Sequence, residues 1–404
     1  MEPVLSGAGL GLQGFSGYIY PNEFELQWSL LIVLYPYLTG LVAGAFILAS
    51  LERVFNVKEL LPVYRLSLLT ALAFLIVAPL PLLAHLGHPE RSFEMFLTPH
   101  LTSAIAMFGF VYAWYLLVVL LLELWFDYRK DMIIWAREKK GIKKYFYKLL
   151  SLGSNDISEK ALRFDSKACK FITVIGIPSA FLLHGYVGFV FGSIKANPWW
   201  SSVLMPIVFL FSAIVSGLAL VLLIYTITAL LRWKKPDMSC LNRLAEFLLY
   251  AMILDFSLEL LDFIHRLYES EESIGILSQL ITNRLFISLI VTQIIIGSVT
   301  PMAGIILGRF GNLPNEIRRI TYLVSAFLVQ VGIFSIRWNV VIGGQLFSKS
   351  LRGLTVYKIE LLGLEGLLMT IFLMILPFLI LIFLVKAFPP WLDKETALSP
   401  AANQ

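Results

Sequence analysis

Four side chains in one apolar stretch pose the chemical question. Leu241 to Tyr268 is long and hydrophobic enough to cross a bilayer, yet it carries Asp255, Glu259, Asp262 and Arg266. On a helix that spacing puts all four on one face. A carboxylate near the bilayer centre costs several kcal/mol, so it survives where it faces a bundle interior, a watery cavity or a partner. Asp255 and Glu259 are the hardest to explain as structure, because no basic residue is expected near their depth in any predicted helix. Asp262 and Arg266 read more simply as an i, i+4 ion pair.

The five histidines are His85, His88, His100, His184 and His265. All fall toward one end of the predicted helices. His85, His88 and His100, with Arg91, belong to loops where bonding to backbone or contact with a partner is expected. His184 and His265 could hold one haem at matched depth, but a stacked pair of haems needs further histidines in the other half, and the sequence has none there. Cys169 and Cys240 are too few to hold an iron–sulfur cluster on four thiolates. No haem, iron–sulfur cluster or metal site is therefore expected in this chain.

The elements that must position these groups are membrane helices. The 404 residues are 58% hydrophobic and only 15% charged, below the roughly 25% charge of soluble domains, which marks an all-α integral membrane protein. Apolar runs of about 20 residues predict nine spans: Glu25 to Leu51, Pro62 to His85, Leu101 to Trp125, Ala168 to Phe191, Ser201 to Leu231, Leu241 to Tyr268, Leu285 to Leu307, Arg319 to Val341 and Glu360 to Lys386. With these spans, 24 of the 32 Lys and Arg fall on one side. By the positive-inside rule that side is cytoplasmic, the N-terminus is outside and the C-terminus inside. The net charge of +5 is then a topology signal and not a nucleic-acid footprint. The first residues lack a basic n-region and a cleavage site, so no removable signal peptide is expected. The loop 127–167 includes an aromatic and basic stretch suited to a membrane surface or a docking partner.

An internal repeat organises the spans. Thr39-Gly40-Leu41-Val42-Ala43-Gly44 in the first helix and Ser212-Ala213-Ile214-Val215-Ser216-Gly217 in the fifth share a pattern of small residues and the same direction. Small faces let membrane helices approach closely. The expected organisation is an outer segment 1–24, a four-helix bundle 25–191, a second four-helix bundle 201–343, an outer loop 344–359, a ninth helix 360–386 and a cytoplasmic tail 387–404.

Several motifs resemble one family. His85-Leu86-Gly87-His88-Pro89-Glu90-Arg91 followed by Thr98-Pro99-His100, the stretch Gly176-Ile177-Pro178 through His184-Gly185-Tyr186 to Asn197-Pro198-Trp199-Trp200, and Thr39 to Gly44 are similar to the polysulfide-reductase membrane subunits of NrfD/PsrC type. Ser335-Ile336-Arg337-Trp338-Asn339 through Gln345 resembles the DsrP/HmeB-type branch, the membrane subunit of the DsrMKJOP complex. The resemblance implies a double four-helix bundle without metal in a prokaryotic cytoplasmic membrane. It also implies electron exchange between menaquinone and a ferredoxin-like iron–sulfur subunit on the outer face, and allows coupling to proton movement.

In that reading His184 and Tyr35 contact the quinone ring, with Tyr186, Arg337 and Asn339 completing or supporting the pocket. Tyr35 stands where the polysulfide-reductase relative has a histidine. Asp255, Glu259 and Asp262 form a proton relay beside the redox site. The rival expectations are a secondary transporter or proton channel, which also uses repeats and buried carboxylates, and a purely structural anchor for other redox subunits.

Overall fold

The computed structural model describes residues 14–98, 102, 104–269 and 273–391. Its chain is helical almost throughout, as its apolar runs require, because a backbone in lipid must satisfy its own hydrogen bonds. Helix α1 runs Leu30–Arg53. Helices α2 (Leu61–Val77) and α3 (Leu80–His85) form one span interrupted at Pro79. A short α4, Glu94–Leu97, precedes α5 (Ala104–Trp114), a π-helical segment Tyr115–Leu120 and α6 (Leu121–Glu138).

Next come α7 (Ile142–Leu150), α8 (Glu159–Gly192), α9 (Met205–Leu231) and α10 (Met238–Glu269). The seventh expected span is α11 (Ile274–Leu280), a second π-helical segment Ile281–Val299 and α12 (Thr300–Phe310). Helices α13 (Asn315–Val341) and α14 (Leu367–Ala387) complete the set. Beyond the helices, β1 (Ser16–Gly17) pairs antiparallel with β2 (Gly353–Leu354).

Eight of these helices are long and apolar enough to cross a membrane among the described residues. The remaining expected span, α10, is one unbroken helix of 32 residues. Its departure from the apolar pattern comes from Asp255, Glu259, Asp262 and Arg266 together with Arg243 and Glu246.

The third and fourth helices extend well past their expected ends at Trp125 and Ala168. What keeps them packed there is polar: Arg65 bonds Asp127 and Asp131 at 2.7 Å each, and buried Arg129 bonds Asp165 at 2.8 Å. The expected loop 127–167 is therefore largely helix, and its α7 leaves Ile142, Tyr145 and Leu149 exposed on one apolar face.

The packing centres on α1, which is buried along nearly its whole length against α2, α8 and α9. Helix α9 in turn packs on α10 and α13. The two repeat motifs meet each other directly. A Cβ on Gly44 would run into Gly217 and the Ala213 carbonyl, and a Cβ on Gly217 would run into the Gly44 backbone. The close approach is reciprocal, with glycine on both sides because no side chain fits between the backbones of α1 and α9.

Candidate functional site

A row of polar groups lies beside this crossing of α1 and α9. Thr39 and Ser212 occupy equivalent places in the two motifs, on α1 and α9. Each hydroxyl donates its one hydrogen to a carbonyl of its own helix, Thr39 to Tyr35 O at 3.1 Å and Ser212 to Phe209 O at 2.9 Å. Thr39 Oγ1 lies 3.2 Å from His184 Nδ1, and Ser212 Oγ accepts from Arg337 Nη2 at 2.6 Å. His184 on α8 and Arg337 on α13, the fourth helices of their repeats, meet at 3.1 Å through His184 Nε2.

A guanidinium only donates, so Nε2 accepts and the hydrogen of His184 sits on Nδ1, directed at Thr39. This row fixes one neutral tautomer. Both side chains are 0% exposed. Phe209 stacks on the His184 ring at 5.7 Å and lies under the Arg337 guanidinium at 4.1 Å.

The sequence reads Arg337 as a support of the pocket near the end of the eighth span and places no basic residue near the depth of Asp255 and Glu259. The structure overturns the second expectation. Helix α13 continues to Val341, and its last turn is covered by Trp199 and Trp200, whose indoles donate to Asn339 O at 2.8 Å and Val340 O at 2.6 Å. Under that cover the long Arg337 side chain lies in the interior and interacts electrostatically with Asp255 and Glu259. No carboxylate comes within the 4.0 Å of a direct ion pair with it among the described residues. Among the described residues its Nε and Nη1 have no hydrogen-bond partner, and neither do Asp255 Oδ1 and Glu259 Oε1.

A second polar row leads to Glu259. Ser288 Oγ donates to Asn339 Oδ1 at 2.6 Å, Asn339 Nδ2 donates to Gln293 Oε1 at 2.7 Å, and Gln293 Nε2 donates to Glu259 Oε2 at 3.2 Å. Every donor points toward the carboxylate. Ser288 and Gln293 both belong to the π-helical segment, a form that concentrates at functional sites. Asp262 is fully buried and tied to Ser202 and Arg266, as a structural ion pair would be. Asp255 borders a void of about 10 Å³ with Ser298, Gly297 and Gly332.

A cavity of about 150 Å³ opens between α9, α10, the π-helical segment and α13. Its walls are apolar, including Val208, Phe209, Phe256 and Phe263, and its polar groups are Glu259, Asp262, Arg266, Gln293 and Asn339. The side chains of Leu260 and Ile290 stand at its lipid-facing edge, Leu260 half exposed. Of the residues expected at a quinone, Asn339 borders this cavity, whereas His184, Arg337, Tyr35 and Tyr186 do not. Tyr35 and Tyr186 lie near one another on the first-repeat side.

The expected loop group stands apart from both rows. His85 Nδ1 bonds Glu365 at 3.0 Å, His88 bonds Glu90 at 2.9 Å, and Arg91 bonds Glu94 at 2.8 Å on an exposed surface. His100 lies outside the described residues. His265 sits 3.4 Å from Glu269, and both nitrogens of His184 are already engaged by Thr39 and Arg337.

Gln293, Ser212, Thr39 and Phe209 escaped the reading of the sequence as site residues. The repeat motif held the signal for Thr39 and Ser212, which are its first small residues. Gln293 is an amide in an otherwise apolar run, a weaker signal of the same kind.

Comparison with known proteins places these features in a family. The family model "Polysulphide reductase, NrfD" matches residues 21–349. A selenate reductase subunit of Mesobacillus selenatarsenatis is 32% identical over 78% of this chain and 73% of its own length. A putative dimethyl sulfoxide reductase membrane subunit of Halobacterium salinarum is 29% identical over 49% of this chain and 42% of its own. The Hdr-like menaquinol oxidoreductase integral membrane subunit of Archaeoglobus fulgidus is 23% identical over 54% of this chain and 48% of its own.

Proposed function

Because the chain belongs to the polysulphide reductase NrfD family, a family of multi-pass membrane subunits of reductase and oxidoreductase complexes, we propose that it exchanges electrons between menaquinone and an iron–sulfur partner. The partner would be a ferredoxin-like subunit at the end of the bundle that carries Trp199 and Trp200, the outer face by the distribution of Lys and Arg. The name of the Archaeoglobus fulgidus relative includes menaquinol, which agrees with this choice of quinone; a place in the DsrP/HmeB branch of DsrMKJOP-like complexes rests on the resemblance of Ser335 to Gln345 alone.

The observation that carries the reading is the cavity with Glu259 on its wall. A quinone ring needs flat apolar contact, a donor for its carbonyl and a group that gives or takes its protons. Phe209, Phe256 and Phe263 supply the first, and Glu259 supplies the other two: protonated, it donates to a quinone carbonyl, and ionised, it takes a proton from a quinol hydroxyl. Glu259 Oε1 is buried with no hydrogen-bond partner among the described residues, while Gln293, itself held by Asn339, donates to Oε2.

The nearby charges suit proton exchange. A guanidinium buried without a direct ion pair is costly unless a negative charge stands close by. One ionised carboxyl of the Asp255 and Glu259 pair balances Arg337, and the other carboxyl is free to hold a proton. Passing the charge between the two moves a proton inward from the cavity without leaving Arg337 unbalanced. His184 is enclosed by Thr39, Gly40, Phe209 and Arg337, so in this account it positions Arg337 and does not touch the ring. The electrons pass from quinol to the partner's cluster, and the two protons of the quinol leave through Glu259.

The variant Val208→Phe tests the cavity. Val208 is buried and borders it, so the added ring takes the space of the head group. Overpacking of this kind costs ~1–3 kcal/mol, and the expected result is a KM for quinol raised roughly 10-fold or more in a complex that still assembles. An unchanged KM in an assembled complex would remove the cavity from the proposal.

A further inference from the structure

A buried acid that the proposed reaction does not use lies near the basic end of the bundle. Glu123 stands on α6 just after the π-helical segment Tyr115–Leu120 and is 0% exposed. From the sequence it would be an interface residue at the end of an apolar run, but α6 continues beyond it and the neighbouring helices close over it. The groups that face it are Arg53 from α1, Tyr64 from α2, Cys169 and Thr173 from α8, and Tyr115 and Asp127 from its own span. Arg53, the cation among these groups, stays outside ion-pair distance of it, so Glu123 has no direct ion pair among the described residues, and Asp127 is held by Arg65.

The hydrogen bonds around Glu123 show which form fits. Thr173 Oγ1 lies 2.7 Å from Glu123 Oε1 and 2.8 Å from Cys169 O. A threonine hydroxyl has one hydrogen, so it can donate to only one of these two acceptors. A carboxylic acid at Glu123 satisfies both contacts, with Glu123 donating to Thr173 and Thr173 donating to the helix carbonyl. Tyr64 OH approaches the same oxygen at 3.4 Å, while Glu123 Oε2 and Tyr115 OH are buried with no partner. One helical turn away, Asp127 and then the partly exposed Asp131 lead out to the end of the bundle rich in Lys and Arg.

We propose that Glu123 is a second proton-binding site of this subunit, charged from the basic end of the bundle and separate from the Asp255 and Glu259 pair. The proton enters from water at the Asp131 side, binds a carboxylate oxygen of Glu123 and leaves it as a proton. No electron changes place, and the ionised form is stabilised by Arg53 from across the pocket. The unpartnered Glu123 Oε2 and Tyr115 OH supply the acceptor and donor that a transient proton needs. A purely structural acid in this place would have both oxygens satisfied. The site stands on the geometry of Glu123 and does not require the quinone to bind in the cavity described above.

The test uses the whole complex in proteoliposomes. Dicyclohexylcarbodiimide, which reacts with protonated carboxyls in apolar surroundings, is expected to modify Glu123, as read by mass spectrometry of the chain. In infrared difference spectra of turnover, a protonated-carboxyl band is expected that shifts in D2O and is lost in Glu123→Gln. The same variant is expected to keep quinol-linked electron transfer while its turnover-linked proton uptake from the basic side is lost. Absence of labelling and of the band in the native complex would overturn the proposal even if the variant failed to assemble. Unchanged proton uptake in an assembled Glu123→Gln complex would overturn it as well. A quinone reading that failed would instead show as a loss of electron transfer to quinone in the native complex, with the labelling of Glu123 intact.

Discussion

Glu259→Gln is expected to lower quinol-linked electron transfer by about 100-fold or more, the scale of a lost acid–base group, in a complex that assembles normally. The substitution keeps the size of the side chain and an oxygen to accept from Gln293, so the row from Ser288 through Asn339 stays in place. What it removes is the group on the cavity wall that can take up and release a proton. Glu259→Asp is expected to restore part of the rate, because the carboxyl is shorter but chemically the same. The comparison belongs in the kcat of quinol oxidation with a dye acceptor and, separately, in reduction of the partner's cluster by dithionite, which bypasses quinone and is expected to be unaffected. A wild-type rate in Glu259→Gln would mean that the quinone protons take another route.

The second large effect is structural. Gly217→Ala is expected to destabilise the chain by ~1–3 kcal/mol and Gly217→Val by more, with the protein level in the membrane falling accordingly. The added Cβ meets backbone atoms of Gly44 and Ala45, which cannot turn aside as a side chain could. The helices α1 and α9 must then separate, and the row Thr39, His184, Arg337, Ser212 spans that same junction. Loss of stability and loss of activity should therefore appear together. Gly185→Ala serves as the control, since its Cβ would find only the Pro206 carbonyl at 3.7 Å. Thermal denaturation of the purified chain in detergent decides the matter, and equal midpoints for Gly217→Ala and Gly185→Ala would contradict this view of the interface.

The acidic face of α10 and the small-residue repeat were readable because both depend on spacing along one helix. Asp255 and Asp262 are buried as the stripe requires, and the repeat motifs touch as close packing requires. The residues that bridge helices were harder to read. Arg337 stands near the end of its apolar run, where position along the helix does not show depth; its length and the cover of Trp199 and Trp200 bring it inside. Glu123 looked like an interface residue because the apolar run ends near it, although α6 runs on through polar pairs to Glu138. The widening of the helix around Gln293 has no marker in the pattern of apolar residues, since a π-helical segment keeps the same composition as its neighbours. His184 was identified correctly as buried and polar, but its enclosure by Thr39 and Arg337 is a property of the junction between repeats.

In the proposed reaction the redox ligand sits in the cavity on the Glu259 side of α10. A map of the assembled complex with menaquinone or a tight quinone-site inhibitor bound tests it most directly. The account predicts a head group between Phe209, Phe256 and Phe263 with one carbonyl in hydrogen-bond reach of Glu259 Oε1. A head group beside Tyr35 and Tyr186, or in the cleft formed by Trp28, Asn197 and Gln345, with the cavity occupied by lipid, would contradict it.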